Sequence, residues 1–252
     1  MAATPAVVIT GGTSGIGLEA VKRFCAKGYQ VFTCARRDFD FSRILNEVDL
    51  ARLEFTKLDV ADTPQLVEWL NSIGIRTSID VLINNAAAVY KKPIQEFSSV
   101  EFQNSLAVNL LAVLEGLKAA LDYFSPDRGG VVINVSSMAA VDPFEGFAVY
   151  GACKAFLELF TQATATELRP RNIRCYAIRA GTVETPLLRR VLPDFPDSEA
   201  LDPKYVAELM FQLANGKSRF KNGSSIEISF DNAESLLRLT SNKESFERKD
   251  LD

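Results

Sequence analysis

The chain has 252 residues, 47% hydrophobic and 24% charged, with 28 lysines and arginines against 32 aspartates and glutamates for a net charge of −4. This composition excludes disorder and suits one α/β domain; the cations are scattered rather than striped, which argues against nucleic acid, and the longest apolar runs are strand-length, which argues against a membrane span. Four scattered cysteines without a C-x-x-C pair indicate no disulfide framework or zinc site and fit a reducing cytoplasm, and the absence of histidine removes Ser-His, Cys-His and His-metal chemistry, so no metal site is expected.

Residues 6–10 read as a buried strand running into Thr10-Gly11-Gly12-Thr13-Ser14-Gly15-Ile16-Gly17, after which the pattern turns helical over 15–27. Glycines there let the backbone approach a pyrophosphate, whose charge is met by the free N–H groups and dipole of a helix N-terminus; a helix-opening turn needs glycine anyway, so the trio alone is not diagnostic. A second strand, 30–34, ends in Ala35-Arg36-Arg37, where an acidic residue would bind an adenosine 2′-hydroxyl. A guanidinium in that place pairs with a 2′-phosphate instead, favouring NADP(H) over NAD(H), unless Arg36 and Arg37 are simply solvated.

A third strand, 53–58, leads to Asp59-Val60, where a carboxylate either meets the adenine amino group or caps the helix beginning near Thr63. Helix 64–72 and a fourth strand, 79–83, follow, the strand ending in Asn84-Asn85-Ala86-Ala87; amides and small side chains there admit a ribose or merely form a turn. A long helix over 98–124 contains Asn109 in an apolar stretch, a place where an amide needs backbone or water partners. Strand 131–135 ends in Ser136-Ser137, helix 150–168 opens with Tyr150-Gly151-Ala152-Cys153-Lys154, and strand 174–178, helix 203–213 and strand 225–229 complete the pattern. Apolar strands alternating with helices imply a Rossmann-type doubly wound parallel sheet of about seven strands in a single domain over 1–252. Residues 186–202 are expected to cover the substrate, and the polar tail 232–252 to add at most an amphipathic turn before a frayed end.

Reduction of a carbonyl leaves an alkoxide that needs an acid, and histidine is not available. Tyr150 and Lys154, four apart, share a helix face, and the lysine cation together with an oxidised nicotinamide ring would lower the phenol pKa; the same spacing is also frequent on plain surfaces. Ser137, thirteen residues earlier at the carboxyl edge of its strand, can donate to the substrate oxygen. Asn109 either packs structurally or holds a water linking the lysine to solvent.

With Thr10, Gly11, Gly15 and Gly17 matching T-G-x-x-x-G-x-G, and Asn109, Ser137, Tyr150 and Lys154 spaced as its tetrad, the chain resembles the short-chain dehydrogenases/reductases from about residue 7 to 229. The resemblance implies that Tyr150 is the general acid/base, that Ser137 polarises the substrate oxygen, that Lys154 lowers the tyrosine pKa and holds the nicotinamide ribose, and that Asn109 anchors a relay water. It places Gly181, Val183 and Thr185 on the nicotinamide side and implies a homodimer or homotetramer acting on a small carbonyl or alcohol. Ala87 and Ala180 depart from the family's N-N-A-G and P-G pairs; if Ala87 needed positive φ it would cost about 1 kcal/mol. Leu187, Leu188, Val191, Leu192, Phe195, Phe144 and Phe147 suggest an apolar substrate wall, with Arg189 and Arg190 either attracting an acid or solvated. The rival readings are an NADP(H) sensor without chemistry, and an epimerase or dehydratase on the same fold.

Overall fold

A computed structural model describes residues 4–142, 144–216 and 219–241. β1 (Ala6–Thr10), β2 (Gln30–Ala35), β3 (Leu53–Lys57), β4 (Val81–Asn84), β5 (Gly130–Ser137), β6 (Ile173–Ala180) and β7 (Ser225–Ile228) form one sheet in the order β3-β2-β1-β4-β5-β6-β7. Every pairing within it is parallel. Helices α1 (Gly15–Ala26), α2 (Glu47–Leu50), α3 (Thr63–Gly74), α4 (Ser99–Leu106), α5 (Ala112–Ala120), α6 (Ala148–Glu167), α7 (Pro186–Val191), α8 (Pro203–Ala214) and α9 (Ala233–Ser241) lie between and after the strands. The expected doubly wound fold is therefore the observed one.

The period-two alternation of β1 shows why both faces are covered. Val7 and Ile9 join Phe24 of α1 and Leu209 of α8 in one core, while Ala6 and Val8 join Leu66 of α3 and Leu117 of α5 in the other. The central strands β1 and β4 are buried on both sides, so the chain must return through helices on both faces to cover them. The strand order reverses direction between β1 and β4, and this switch point opens a crevice at the carboxyl edge.

Several boundaries move. β5 extends to Ser137, so both serines are strand residues rather than the turn after it, and α6 begins at Ala148, which puts Tyr150 in its first turn. The long helix expected over 98–124 is interrupted by a π-helical turn, Ala107–Leu111. By length and hydropathy the run Ser99–Tyr123 is compatible with a membrane span, longer than the strand-length limit read from sequence; here Ala112, Leu117 and Ala120 bury its apolar side against α3. Leu117 belongs to that core, whereas Leu114 of α5 and Phe156 and Leu159 of α6 are exposed. The tail does more than make one turn: α9 folds onto α8 with Ala233 buried, while 242–252 lie outside the described residues.

Candidate active site

The strand ends converge on one cleft of about 1310 Å³ that runs from the β2 end to the 186–202 segment. Its floor at the switch point is the glycine turn. Gly11 takes φ 76°, and a Cβ on Gly17 would stand 2.2 Å from the Gly11 carbonyl oxygen, so α1 starts this close to the turn only because position 17 has no side chain. Thr13, Ser14, Gly15 and Ile16 line the cleft with Gly11; Thr10 and Gly17 stand behind it. The Thr10 hydroxyl accepts from the backbone N–H of Asn85 (3.0 Å) and Ala86 (3.1 Å), and the Asn85 amide donates to the Thr10 carbonyl (2.9 Å), which laces β1 to β4 beneath the turn. Thr10, counted with the cofactor-binding turn from its motif, thus builds the cradle from behind rather than lining it.

Three observations fit this end of the cleft to a dinucleotide. Ser14 at the α1 N-terminus makes no side-chain cap, whereas Asp62, Ser98 and Asp202 cap α3, α4 and α8, so the first-turn N–H groups of α1 are offered to the cleft. Arg36 and Arg37 line the cleft, are exposed, and have no ion pair among the described residues. The neighbouring Asp38 carboxylate is neutralised by Lys57 at 2.7 Å. Asp59 and Val60 also line this end; the Asp59 side chain accepts from Ala61 N (3.0 Å), and the helix cap considered for it is made by Asp62 instead.

At the other end, Ser137, Tyr150 and Lys154 line the same cleft. Gly151 makes this possible: a Cβ there would stand 2.6 Å from the Ala139 carbonyl oxygen, so α6 can pass directly over the turn leaving β5. Among the protein's own groups, burial dominates the Tyr150 pKa. Burial pushes the phenol up to about 12, a hydrogen bond with Ser137 opposes this, and Lys154 does not offset it. The lysine is itself 2% exposed and pushed down to about 8 by burial; its Nζ donates to the Val135 carbonyl (2.7 Å) and lies 5.5 Å from the Tyr150 ring centre.

Asn109 is brought near but not into the cleft. Its Nδ2 donates to Ala88 O (2.8 Å) and Ser105 O (3.0 Å), and its Oδ1 accepts from Ala88 N (3.3 Å), so both amide protons are used and none is left for a relay water. The π turn around it widens the helix where it passes the β4 end, and the amide bonds the carbonyl of Ser105 four residues back.

Gly181, Val183 and Thr185 line the cleft, and so do the expected apolar residues Leu187, Leu188, Val191, Leu192, Phe195, Phe144 and Phe147. Phe144, Phe147 and Tyr150 form an edge-to-face series with ring centres 6.3 and 6.2 Å apart, which fixes the phenol's orientation. The adjacent arginines part ways: Arg189 bonds Glu184 (2.9 Å), the Phe195 carbonyl (2.6 Å) and Asp197, tying together both limbs of the 186–202 segment, while Arg190 lines the cleft. Outside glycine, positive φ occurs among the described residues only at Asn172, so Ala87 carries no left-handed strain; Ala180 is an ordinary strand residue paired with Ser137. Sequence reasoning missed Lys91, Met138 and Phe230, which also line the cleft; Phe230 follows the β7 end, and the strand-end rule that found Ser137 would have found it.

A family model described as short chain dehydrogenase matches residues 5–194. The chain belongs to this family. Short-chain dehydrogenases are oxidoreductases whose fold binds a nicotinamide cofactor, and the relatives bear dehydrogenase and reductase names. Cyclopentanol dehydrogenase of Comamonas sp. is 27% identical over 236 residues, which cover 88% of this chain and 94% of the relative. L-xylulose reductase of Bos taurus is 27% identical over 232 residues, covering 88% and 93%. Among solved structures, ElxO with NADP bound superposes with a TM-score of 0.81 at 24% identity, covering 92% of this chain and all of the other.

Proposed function

We propose that this short-chain dehydrogenase is an NADP(H)-dependent enzyme that interconverts a carbonyl and an alcohol on a small, moderately hydrophobic substrate. The carrying observation is that one cleft has uncompensated Arg36 and Arg37 at one end and Ser137, Tyr150 and Lys154 at the other. Thr13 to Ile16 at the α1 N-terminus hold the pyrophosphate, Arg36 and Arg37 the 2′-phosphate, Asp59 and Val60 the adenine, Asn85, Ala86 and Lys154 the riboses, and Gly181, Val183 and Thr185 the carboxamide. Bound there, NADP(H) supplies or accepts the hydride. Ser137 donates to the substrate oxygen, and Tyr150 gives it a proton in reduction and takes one in oxidation. Asn109 acts indirectly, by keeping the π turn open. Residues 186–202 form a lid whose apolar side excludes water, with Arg189 as its internal tie.

The names of the relatives support a small alcohol or carbonyl substrate, from an alicyclic alcohol to a sugar ketone. The Arg36→Asp variant is expected to weaken NADPH by about 30-fold while leaving NADH within about threefold, because it removes a bidentate phosphate partner and adds a like charge. Fluorescence titration of both cofactors measures this; equal losses rule out Arg36 as the 2′-phosphate partner.

We also propose a cytoplasmic homo-oligomer. The four cysteines are free and buried, as suits a reducing compartment, and Leu111, Leu114, Phe156 and Leu159 expose apolar surface on α5, α6 and the π turn. Leu159→Arg is expected to convert the sedimenting species to a monomer; an unchanged mass places the subunit contact elsewhere.

A further inference from the structure

Three consecutive residues of β5 are each tied to one of three residues spaced four apart on α6. The Ser137 side chain hydrogen-bonds Tyr150, the Val135 carbonyl accepts from Lys154 Nζ at 2.7 Å, and the Ser136 hydroxyl donates to Glu158 Oε1 at 2.9 Å. Tyr150, Lys154 and Glu158 fall on one stripe of the helix, one turn apart. The third tie runs from the cleft wall inward: Ser136 lines the cleft though only 2% exposed, Glu158 does not line it, and neither has a role in the chemistry derived above.

Glu158 does more than accept one hydroxyl. Ser136 and Arg179 are paired across β5 and β6, and the Arg179 guanidinium reaches the same carboxylate, Nε to Oε1 at 2.9 Å. One carboxylate on α6 therefore grips the ends of two neighbouring strands at the level of the site. Ser136 also approaches the Lys154 backbone carbonyl at 3.2 Å, but a hydroxyl has one proton and the shorter, charged acceptor takes the larger share of it. Burial alone would raise the Glu158 pKa; the bonds from Arg179 and Ser136 outweigh it and hold the carboxylate below its usual range, hence ionised at neutral pH.

Beyond Glu158, α6 packs through Leu157 and Ala165, contacts that bury area but do not by themselves fix how far a helix slides or turns, and Thr161 accepts a single bond from Asn134 of β5 at 2.8 Å, on the side of Glu158 away from the site. Directional bonds do fix it. We propose that Glu158 is a positioning residue that locks the axial and rotational setting of α6 against β5 and β6, so that Tyr150 and Lys154 arrive together beside Ser137. This rests on the reading of Tyr150 and Lys154 given under the proposed function, in which Lys154 meets the ribose next to the nicotinamide.

The test separates the two ends of the cleft. Calorimetric titration with NADPH probes both ends, and adenosine 2′,5′-bisphosphate probes only the adenine end. In Glu158→Ala, NADPH is expected to bind about tenfold more weakly while the bisphosphate stays within about twofold, and Glu158→Gln, which keeps an acceptor for Ser136, recovers most of the loss. Equal weakening of both ligands, no weakening of either, or no recovery in Glu158→Gln overturns the proposal. If Glu158→Ala does not fold, Ser136→Ala removes the hydroxyl alone and is expected to show the same split at smaller size; its absence overturns the proposal equally. If the wild type binds neither NADPH nor NADH, the proposed cofactor falls, and amide hydrogen exchange over Ala148–Glu167 then decides the tie. Faster exchange in the first three turns of the Glu158→Gln and Ser136→Ala variants, with the C-terminal turns unchanged, supports it, and uniform or unchanged exchange overturns it.

Discussion

Replacing Tyr150 by phenylalanine is expected to lower kcat for carbonyl reduction by about 10³-fold while leaving NADPH affinity within about threefold. The change removes one oxygen and keeps the ring that packs against Phe147, so the cleft wall survives and only the proton donor is lost. No other group replaces it: the chain has no histidine, and the Lys154 ammonium is bonded to the Val135 carbonyl. Because burial pushes the phenol up to about 12, Tyr150 holds its proton throughout the neutral range. Wild-type reduction is therefore expected to be insensitive to tyrosine ionisation there, whereas alcohol oxidation, which needs the deprotonated phenol, is expected to rise with pH. A panel of aliphatic, aromatic, steroid and sugar carbonyls and alcohols, followed by NADPH absorbance, tests both points. Turnover retained in Tyr150→Phe removes the phenol from the mechanism; cofactor binding with no turnover in either protein favours a sensor.

The parts of this site that could be read from the sequence are those in which one residue type has one physical use at one place. Gly17 is such a case, since only glycine tolerates the Gly11 carbonyl at that distance, and the Tyr150 and Lys154 pair is another because a helix repeat puts them on one face. What stayed hidden depends on partners distant in sequence. Arg189 and Arg190 are identical neighbours, yet a helix turns about 100° per residue, so one meets Glu184 and Asp197 while the other faces the cleft. The π turn at Asn109 leaves the apolar pattern of the helix unbroken, so periodicity gives no sign of it. Burial's part in the Tyr150 pKa was not legible either, because a contest between burial and charge is decided only in the folded chain.

Lys154 brings that contest to bear on stability. Its ammonium is buried, it donates to the neutral Val135 carbonyl, and the nearest carboxylate along the helix, Glu158, is occupied by Ser136 and Arg179. Burial holds its pKa at about 8 in the folded chain, against 10.5 for an ordinary lysine. A lysine whose folded pKa is lowered holds its proton more tightly in the unfolded chain, so its charge opposes folding fully below pH 8, and the penalty fades as pH rises from 8 toward 10.5. Methionine keeps the apolar stem and discards the charge. Lys154→Met is thus expected to stabilise the fold at pH 7 by about 2 kcal/mol: a charge penalty of about 3 kcal/mol is relieved, and about 1 kcal/mol is given back with the bond to Val135. Thermal unfolding should shift upward by about 5 °C, and the gap from wild type should close as pH is raised through 8 toward 10.5. Over the same change kcat is expected to drop by about 10²-fold, because the charge that destabilises the fold is the one the site uses. A variant less stable than wild type at pH 7, or a stability difference that does not vary with pH, would show that the ammonium is not held against its own desolvation and that Lys154 is a structural donor to β5.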